Sequence, residues 1–273
     1  MRLHLIRASH LIAVVQYMHS LSLPVDTLLQ KAELDHVPLD DANQLILETK
    51  VWRFLELAAE MKAMPHLGGV LAEQSDLAEY GDFTKQLLEA DNLYQALHFL
   101  IHKIGLHNNN SLFWLKENEQ CVWICRPQYP YVKDKQWQAE QHVLGLLCKI
   151  IENYAGPGWQ PSKIKLQDTL GLGLEHSQFF SNAQIQLGQR YSGIAIEHSL
   201  LQERQLSKTF ANASSLESIP DCFVQSFKLL LKQNYFGQGW LAENIAYSLG
   251  TSVRTLKESC RSRGHHYVKY LMK

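Results

Sequence analysis

The stretch LAENIAYSLGTSVRTLKESCRSRGHHYVKYLMK, residues 241–273, reads as a helix, a tight glycine turn and a second helix rich in arginine and lysine. Leu241, Ile245, Ala246 and Leu249, spaced mostly three and four apart, give the first helix one apolar face. Gly250 stands where a helix ends in the left-handed conformation that glycine adopts at little cost. Ser252 follows at the N-cap position, where its hydroxyl accepts a hydrogen bond from the amide of Arg254 or Thr255. Leu256 and Cys260 form the inward stripe of the second helix. Arg254, Lys257 and Arg261 lie three and four apart and project along one side, as a helix lying in a major groove requires. This is the layout of a DNA-reading helix-turn-helix.

A pair of amphipathic helices around a glycine also occurs in proteins that never touch DNA, so the charge distribution carries weight. The chain has 26 Lys+Arg and 27 Asp+Glu, a formal net charge of −1. Residues 241–273 hold six of the basic groups (Arg254, Lys257, Arg261, Arg263, Lys269, Lys273) and two acidic ones (Glu243, Glu258). The tail is therefore +4 and the preceding 240 residues are −5. A basic end on a mildly acidic body suits duplex DNA as partner, because phosphate neutralisation supplies much of protein–DNA affinity.

The run from Phe223 to Lys273, FVQSFKLLLKQNYFGQG followed by LAENIAYSLGTSVRTLKESCRSRG and HHYVKYL, resembles the first half of the DNA-binding domain of AraC/XylS-type transcriptional regulators. The family pattern is an alanine in the first helix, a glycine at the turn, Ser-x-Arg-x-Leu opening the recognition helix and a closing glycine. Ala246, Gly250, Ser252, Arg254, Leu256 and Gly264 stand at those positions. Upstream, VDTLLQKAELD, WRFLELAAE, NLYQALHFLIHKIGL, SLFWLKENEQCVWICRP and IQLGQRYSGIAIEHSLLQERQL resemble the subgroup with an arabinose-binding-like N-terminal region, whose members sense varied effectors. The resemblance implies an effector-sensing, dimerising domain over residues 1–206, a linker over 207–221, and a helix-turn-helix half over 222–273. It further implies that Arg254, Lys257 and Arg261 contact groove and phosphate, that Thr255 is available to a base edge and that Ser252 caps the helix.

Two departures qualify what carries over. Family members have two helix-turn-helix units joined by a long helix, and the chain reaches Lys273 within what would be the start of that helix. The resemblance therefore implies a regulator apparently lacking its second unit, or a truncated sensor that modulates a full-length homologue without binding DNA tightly itself. Within the recognition helix, Glu258 stands where arginine is usual and Cys260 replaces a bulkier apolar residue. A carboxylate facing phosphates repels them, and a cysteine leaves a small core underfilled.

Composition frames the remainder. With 273 residues, 46% hydrophobic and 19% charged, the chain suits one large domain plus a small one. Five scattered cysteines without a C-x-x-C pair point to reduced thiols in a cytoplasm. No apolar run approaches a membrane span, and His4, Arg7, His10 and Gln16 make the N-terminus a poor signal peptide. The expected fold class is α+β: a helical and mixed α/β N-terminal domain followed by an all-α helix-turn-helix module. Periodicity predicts helices near 11–20, 26–32, 41–64, 67–73, 83–90 and 93–104, then a hairpin over 111–126 with a polar turn. A helix over 135–154, a strand at 163–167, a short helix near 175–181 and strands at 183–187 and 193–198 complete the body. The polar segment SKTFANASSLESIPD, residues 207–221, reads as the linker.

Other constellations are weaker. Trp114, Trp123, Tyr129, Tyr131 and Trp137 cluster around the hairpin, as ordinary core or as the wall of a site. Arg126 beside them is expected to run its stem along the strand with its head in water, with pairing to a carboxylate ligand as the alternative. His98 and His102 have metal-ligand spacing, yet HFLIH lacks the glutamate of H-E-x-x-H and has no third ligand. Cys121 and Cys125 face the same side of one strand and read as a buried thiol pair. GLGLEH carries glycines without the strand-turn-helix framing of a phosphate loop. Nothing calls for a cofactor, a metal or an enzymatic reaction, and the ligand-binding residues are not legible.

Overall fold

Two three-residue strands start the fold. In the computed structural model, which describes residues 1–127, 137–201, 216–236 and 241–261, β1 (Leu5–Arg7) pairs antiparallel with β2 (Leu45–Leu47), Ile6 opposite Ile46. The helix expected from residue 41 therefore begins only at residue 48. Leu45, Ile46 and Leu47 are all buried, and a run buried on both faces shows no period of its own that would separate it from the helix after it. Helix α1 (Ala8–Ser20) leaves β1 directly, α2 (Val25–Lys31) packs on it, and α3 (Glu48–Lys62) leaves β2. Helices α4 (Leu67–Gln74), α5 (Asp82–Leu88) and α6 (Leu93–Lys103) come next. Asn92 caps the last of these, its Oδ1 accepting from the Gln95 amide at 2.9 Å.

The predicted hairpin is present as β3 (Trp114–Glu117) and β4 (Val122–Arg126), antiparallel with Trp114 opposite Cys125. After the long α7 (Trp137–Ala155) come β5 (Lys163–Lys165), β6 (Gln184–Gln186) and β7 (Ser192–Ile196). The five strands form one sheet in the order β3-β4-β7-β5-β6, antiparallel except for the β5–β6 pair. Val122, Ile124, Ile164, Ile194 and Ile196 share an apolar cluster with Leu144, Leu147 and Ile151 of α7. On the other side Cys121, Trp123 and Cys125 share a small cluster with Trp114 and Tyr191, and the Lys165 ammonium sits 4.0 Å from the Trp123 ring. The expected pairing of Cys121 and Cys125 on one side of the strand is thus observed. Tyr129 and Tyr131 lie outside the described residues. Only one turn of 3-10 helix, Leu174–His176, stands where a helix near 175–181 is expected.

Two glycines let α4 and α7 approach closely. A Cβ on Gly68 would lie 2.0 Å from the Gln138 carbonyl oxygen, and one on Gly145 would lie 2.5 Å from Ala72 Cβ. Gln138 in turn accepts the otherwise orphaned Gly68 amide on its Oε1 at 2.8 Å. On an exposed helix Gly→Ala stabilises by about 1 kcal/mol. Here the blocking atom is backbone, so Gly68→Ala must push two helices apart. The expected outcome is a loss of about 1–3 kcal/mol, read as a lowered urea midpoint at unchanged m-value.

The C-terminal module comprises α8 (Phe223–Lys232), α9 (Ala242–Ser248) and α10 (Val253–Arg261). Phe223, Phe227 and Leu230 of α8, Ile245 and Ala246 of α9, and Leu256 and Cys260 of α10 are buried together. The same apolar cluster continues into α1, α3 and the β1–β2 pair, so the module shares its core with the first part of the body. Of the segment read as linker, residues 216–221 are described. Leu216 and Ile219 are buried, and the Ile219 amide donates to the Gly105 carbonyl at 3.0 Å.

Candidate nucleic-acid interface and the histidine cavity behind it

The turn between α9 and α10 is built as the sequence indicates. Gly250 takes φ +62°, and a Cβ there would meet nothing within 4 Å, so its backbone conformation alone asks for glycine. Ser252 Oγ accepts from the Thr255 amide at 3.0 Å, the second of the two expected donors, and lies 2.9 Å from the Thr255 hydroxyl. Leu256 and Cys260 face inward as expected. Leu241 does not: it precedes the first turn of α9 and is 57% exposed, so the apolar face of that helix rests on Ile245 and Ala246, with Leu249 half-buried beside them.

Ser252, Arg254, Thr255 and Arg261 are exposed and Lys257 is half-buried. Arg254 donates from Nε to Glu258 Oε1 at 2.8 Å, one turn along the helix. The carboxylate that departs from the family pattern therefore draws back the arginine expected to lead the interface. Such an exposed pair is worth a few tenths of a kcal/mol, little enough for a phosphate to displace.

The module is fastened to the body at its base. The Leu45 amide of β2 donates to Gln233 Oε1 at 3.0 Å, and Asn109 Nδ2 donates to the Pro220 carbonyl at 2.8 Å. Tyr235, almost wholly buried, packs edge-on against His36. Arg7 spends its guanidinium on three carbonyls: Leu106 at 2.6 Å, Asn43 at 3.0 Å and Glu217 at 2.7 Å. Its amide donates to the His107 carbonyl at 3.1 Å. Strand β1 thus touches the approach to α8 on one side and residues 106–107 on the other.

Behind β1 lies a cavity of about 80 Å³ whose walls include Ile6, Leu55, Phe83, Leu100, Phe113 and Leu147. Its polar lining includes Glu48, Thr84 and Asn108 and three buried histidines, His10, His107 and His142, that no sequence motif marks. The His10 ring lies 5.0 Å from His142 and 6.0 Å from His107, and Tyr80 closes the group at 5.3 Å from His10. The Gly68 carbonyl can only accept, so in the neutral ring His142 carries its proton on Nδ1 (3.3 Å); its Nε2 lies 3.1 Å from the Tyr80 hydroxyl, which also contacts Ser75 Oγ at 2.9 Å. Burial holds all three rings neutral, and the His10 imidazole adds to this for His107 and His142. His10 is pushed down to about 4, His107 to about 3, and His142 well below the ordinary value. Single residues spread from 10 to 142 carry no local signal; only His107 adjoins a recognisable feature, the turn-rich NNNS.

One other expectation changes. Arg126 is not exposed: its side chain is 2% exposed and pairs with Glu140 in the first turn of α7. His98 and His102 stack at 4.0 Å between ring centroids, with His102 Nδ1 at 2.8 Å from the His98 carbonyl, a contact within one helix turn. No group of three or more metal-ligating side chains gathers among the described residues, and none of the helices described is long and apolar enough to cross a membrane.

An α+β body joined to a three-helix module with a glycine turn and a capped, basic last helix has the form of a transcription regulator. The chain belongs to the AraC family: residues 23–205 match the arabinose-binding domain of AraC transcription regulators, N-terminal. Among solved structures it is similar to the transcriptional regulator CdpR from Pseudomonas aeruginosa, with 14% identity and a TM-score of 0.43 over 90% of this chain and 80% of that one. No curated protein matches it.

Proposed function

We propose that this protein is a sequence-specific DNA-binding regulator of transcription that responds to a small-molecule effector and acts as a cytoplasmic homodimer. Residues 1–206 sense and dimerise, 207–221 connect, and 222–273 read DNA. The observation that carries the reading is α10, a capped helix behind a glycine turn with Arg254, Thr255 and Arg261 exposed along it. Arg254, Lys257 and Arg261 reach groove and phosphate, Thr255 meets a base edge and Ser252 fixes the start of the helix. Effector binding changes the relative populations of body conformations and so the placement of two readers on paired half-sites.

The test is salt-dependent anisotropy of a labelled duplex against a pool of random duplexes. Arg254→Ala with Lys257→Ala is expected to weaken binding at low salt and to flatten the slope of log K against log salt by about 2, roughly one for each lost phosphate contact. An unchanged affinity and slope would refute the assignment of α10. If the folded wild-type chain binds no duplex at all, the better reading is a sensor or dimerisation partner that modulates a homologue.

A further inference from the structure

The strongest feature outside the DNA interface is the cavity behind β1, because two of its side chains are buried with hydrogen-bonding capacity unused. His107 is 8% exposed, and its Nδ1 has no hydrogen-bond partner among the described residues. His10 is 6% exposed and makes ring contacts but no side-chain hydrogen bond among the described residues. Leaving a buried polar group unsatisfied costs about 1–3 kcal/mol. One such group, with the ring of His10 beside it at 6.0 Å between centroids, marks the place where a ligand's polar group would be met.

We propose that this cavity binds a small uncharged molecule, apolar over most of its surface, whose single hydroxyl or carbonyl is held by His10 and His107. The proposal deepens the effector-sensing reading above and rests on it. A sugar fits poorly, since each of its hydroxyls needs a partner and the other polar groups here are occupied. Thr84 Oγ1 donates to the Gly81 carbonyl at 2.9 Å, Tyr80 and His142 bond each other, and Glu48 accepts from Asn108 and from Asn110. An anion fits no better. Among the described residues no lysine or arginine side chain lines the cavity, and the nearby Arg7 is committed to three carbonyls. A neutral imidazole offers one donor and one acceptor, so it suits an alcohol or a ketone equally. The void of about 80 Å³ is roughly half the ~150 Å³ of an apolar cavity that takes up benzene, which limits the buried part of the ligand to a few heavy atoms.

The test uses the full chain labelled with ¹⁵N-histidine and a series of straight-chain alcohols from ethanol to hexanol. Carboxylates of matching length and L-arabinose serve as controls. Expected are saturable shifts confined to His10, His107 and their neighbours, and affinity rising about fourfold per methylene until the cavity is full and then levelling. His10→Phe and His107→Phe are each expected to remove the saturable response. If neither variant folds, the wild-type shifts and the chain-length series still decide. Absence of saturable binding, a flat series, or tighter binding of the carboxylate or of arabinose would overturn the proposal. Duplex binding by the same preparation separates the readings: DNA binding without alcohol binding sinks only this inference. Alcohol binding by a folded chain that ignores DNA leaves the cavity standing and sinks the DNA-reading role.

Discussion

Lowering the pH from 7.5 to 5.5 is expected to destabilise the protein by about 4 kcal/mol, read as a fall in the urea midpoint. The groups responsible are His10, His107 and His142. Each is held below the 6.5 of a histidine in the unfolded chain by burial, to which His10 adds for the other two and Arg7 for His107. The unfolded chain therefore binds protons that the native state refuses. The stabilising contribution is fully present above pH 6.5 and is lost as pH falls below it. Loss continues at about 1.4 kcal/mol per pH unit for each ring until the native groups themselves titrate, near 4 for His10 and near 3 for His107. The side chains facing the cluster include Tyr80, held neutral by burial, and Phe83, stacked on His107 at 5.5 Å, neither of which supplies a counter-charge. His10→Phe is expected to remove about a third of the pH dependence, and a midpoint that does not move between pH 7.5 and 5.5 would show that the rings are not buried neutral.

The three-helix module is legible in the sequence and this cluster is not, and the difference is one of range. Gly250, Ser252 and the Leu256–Cys260 stripe act through hydrogen bonds and packing within one or two helix turns, so spacing alone encodes them. The hairpin is equally local, with a polar turn between two alternating runs that sets their register. Strands β1 and β2 are three residues each, and the partner of Leu5 is Leu47, which neither segment announces. The histidines come from α1, from the segment after α6 and from α7, and their burial depends on packing set by Gly68 and Gly145 between α4 and α7. Arg126 departs from its expected exposure for the same reason. Its environment is made by a helix that begins eleven residues later, and a charged residue at a strand end reads as exposed until that helix is laid over it.

That residue sets the second large effect. Glu140→Ala removes the carboxylate from a guanidinium whose side chain is 2% exposed, and the expected loss is about 3–5 kcal/mol, enough to threaten folding at 37 °C. The magnitude is not the worth of the ion pair. Two charges withdrawn from water regain from each other roughly what they lost, whereas removing one of them takes that gain away and leaves the desolvation cost of the other. Replacing both members separates the two quantities. Arg126→Met with Glu140→Leu is expected to be close to neutral, or stabilising, because apolar side chains of similar length fill the space between the end of β4 and the first turn of α7. Urea titrations of the single and double variants at pH 7.5 measure the coupling. If Glu140→Ala costs less than about 1 kcal/mol, then Arg126 is compensated by water or by groups other than Glu140, and the ion pair does not hold that end of the sheet. If the double variant is as damaged as the single one, the pair fixes the docking of α7 on the sheet in a way that packing alone cannot replace.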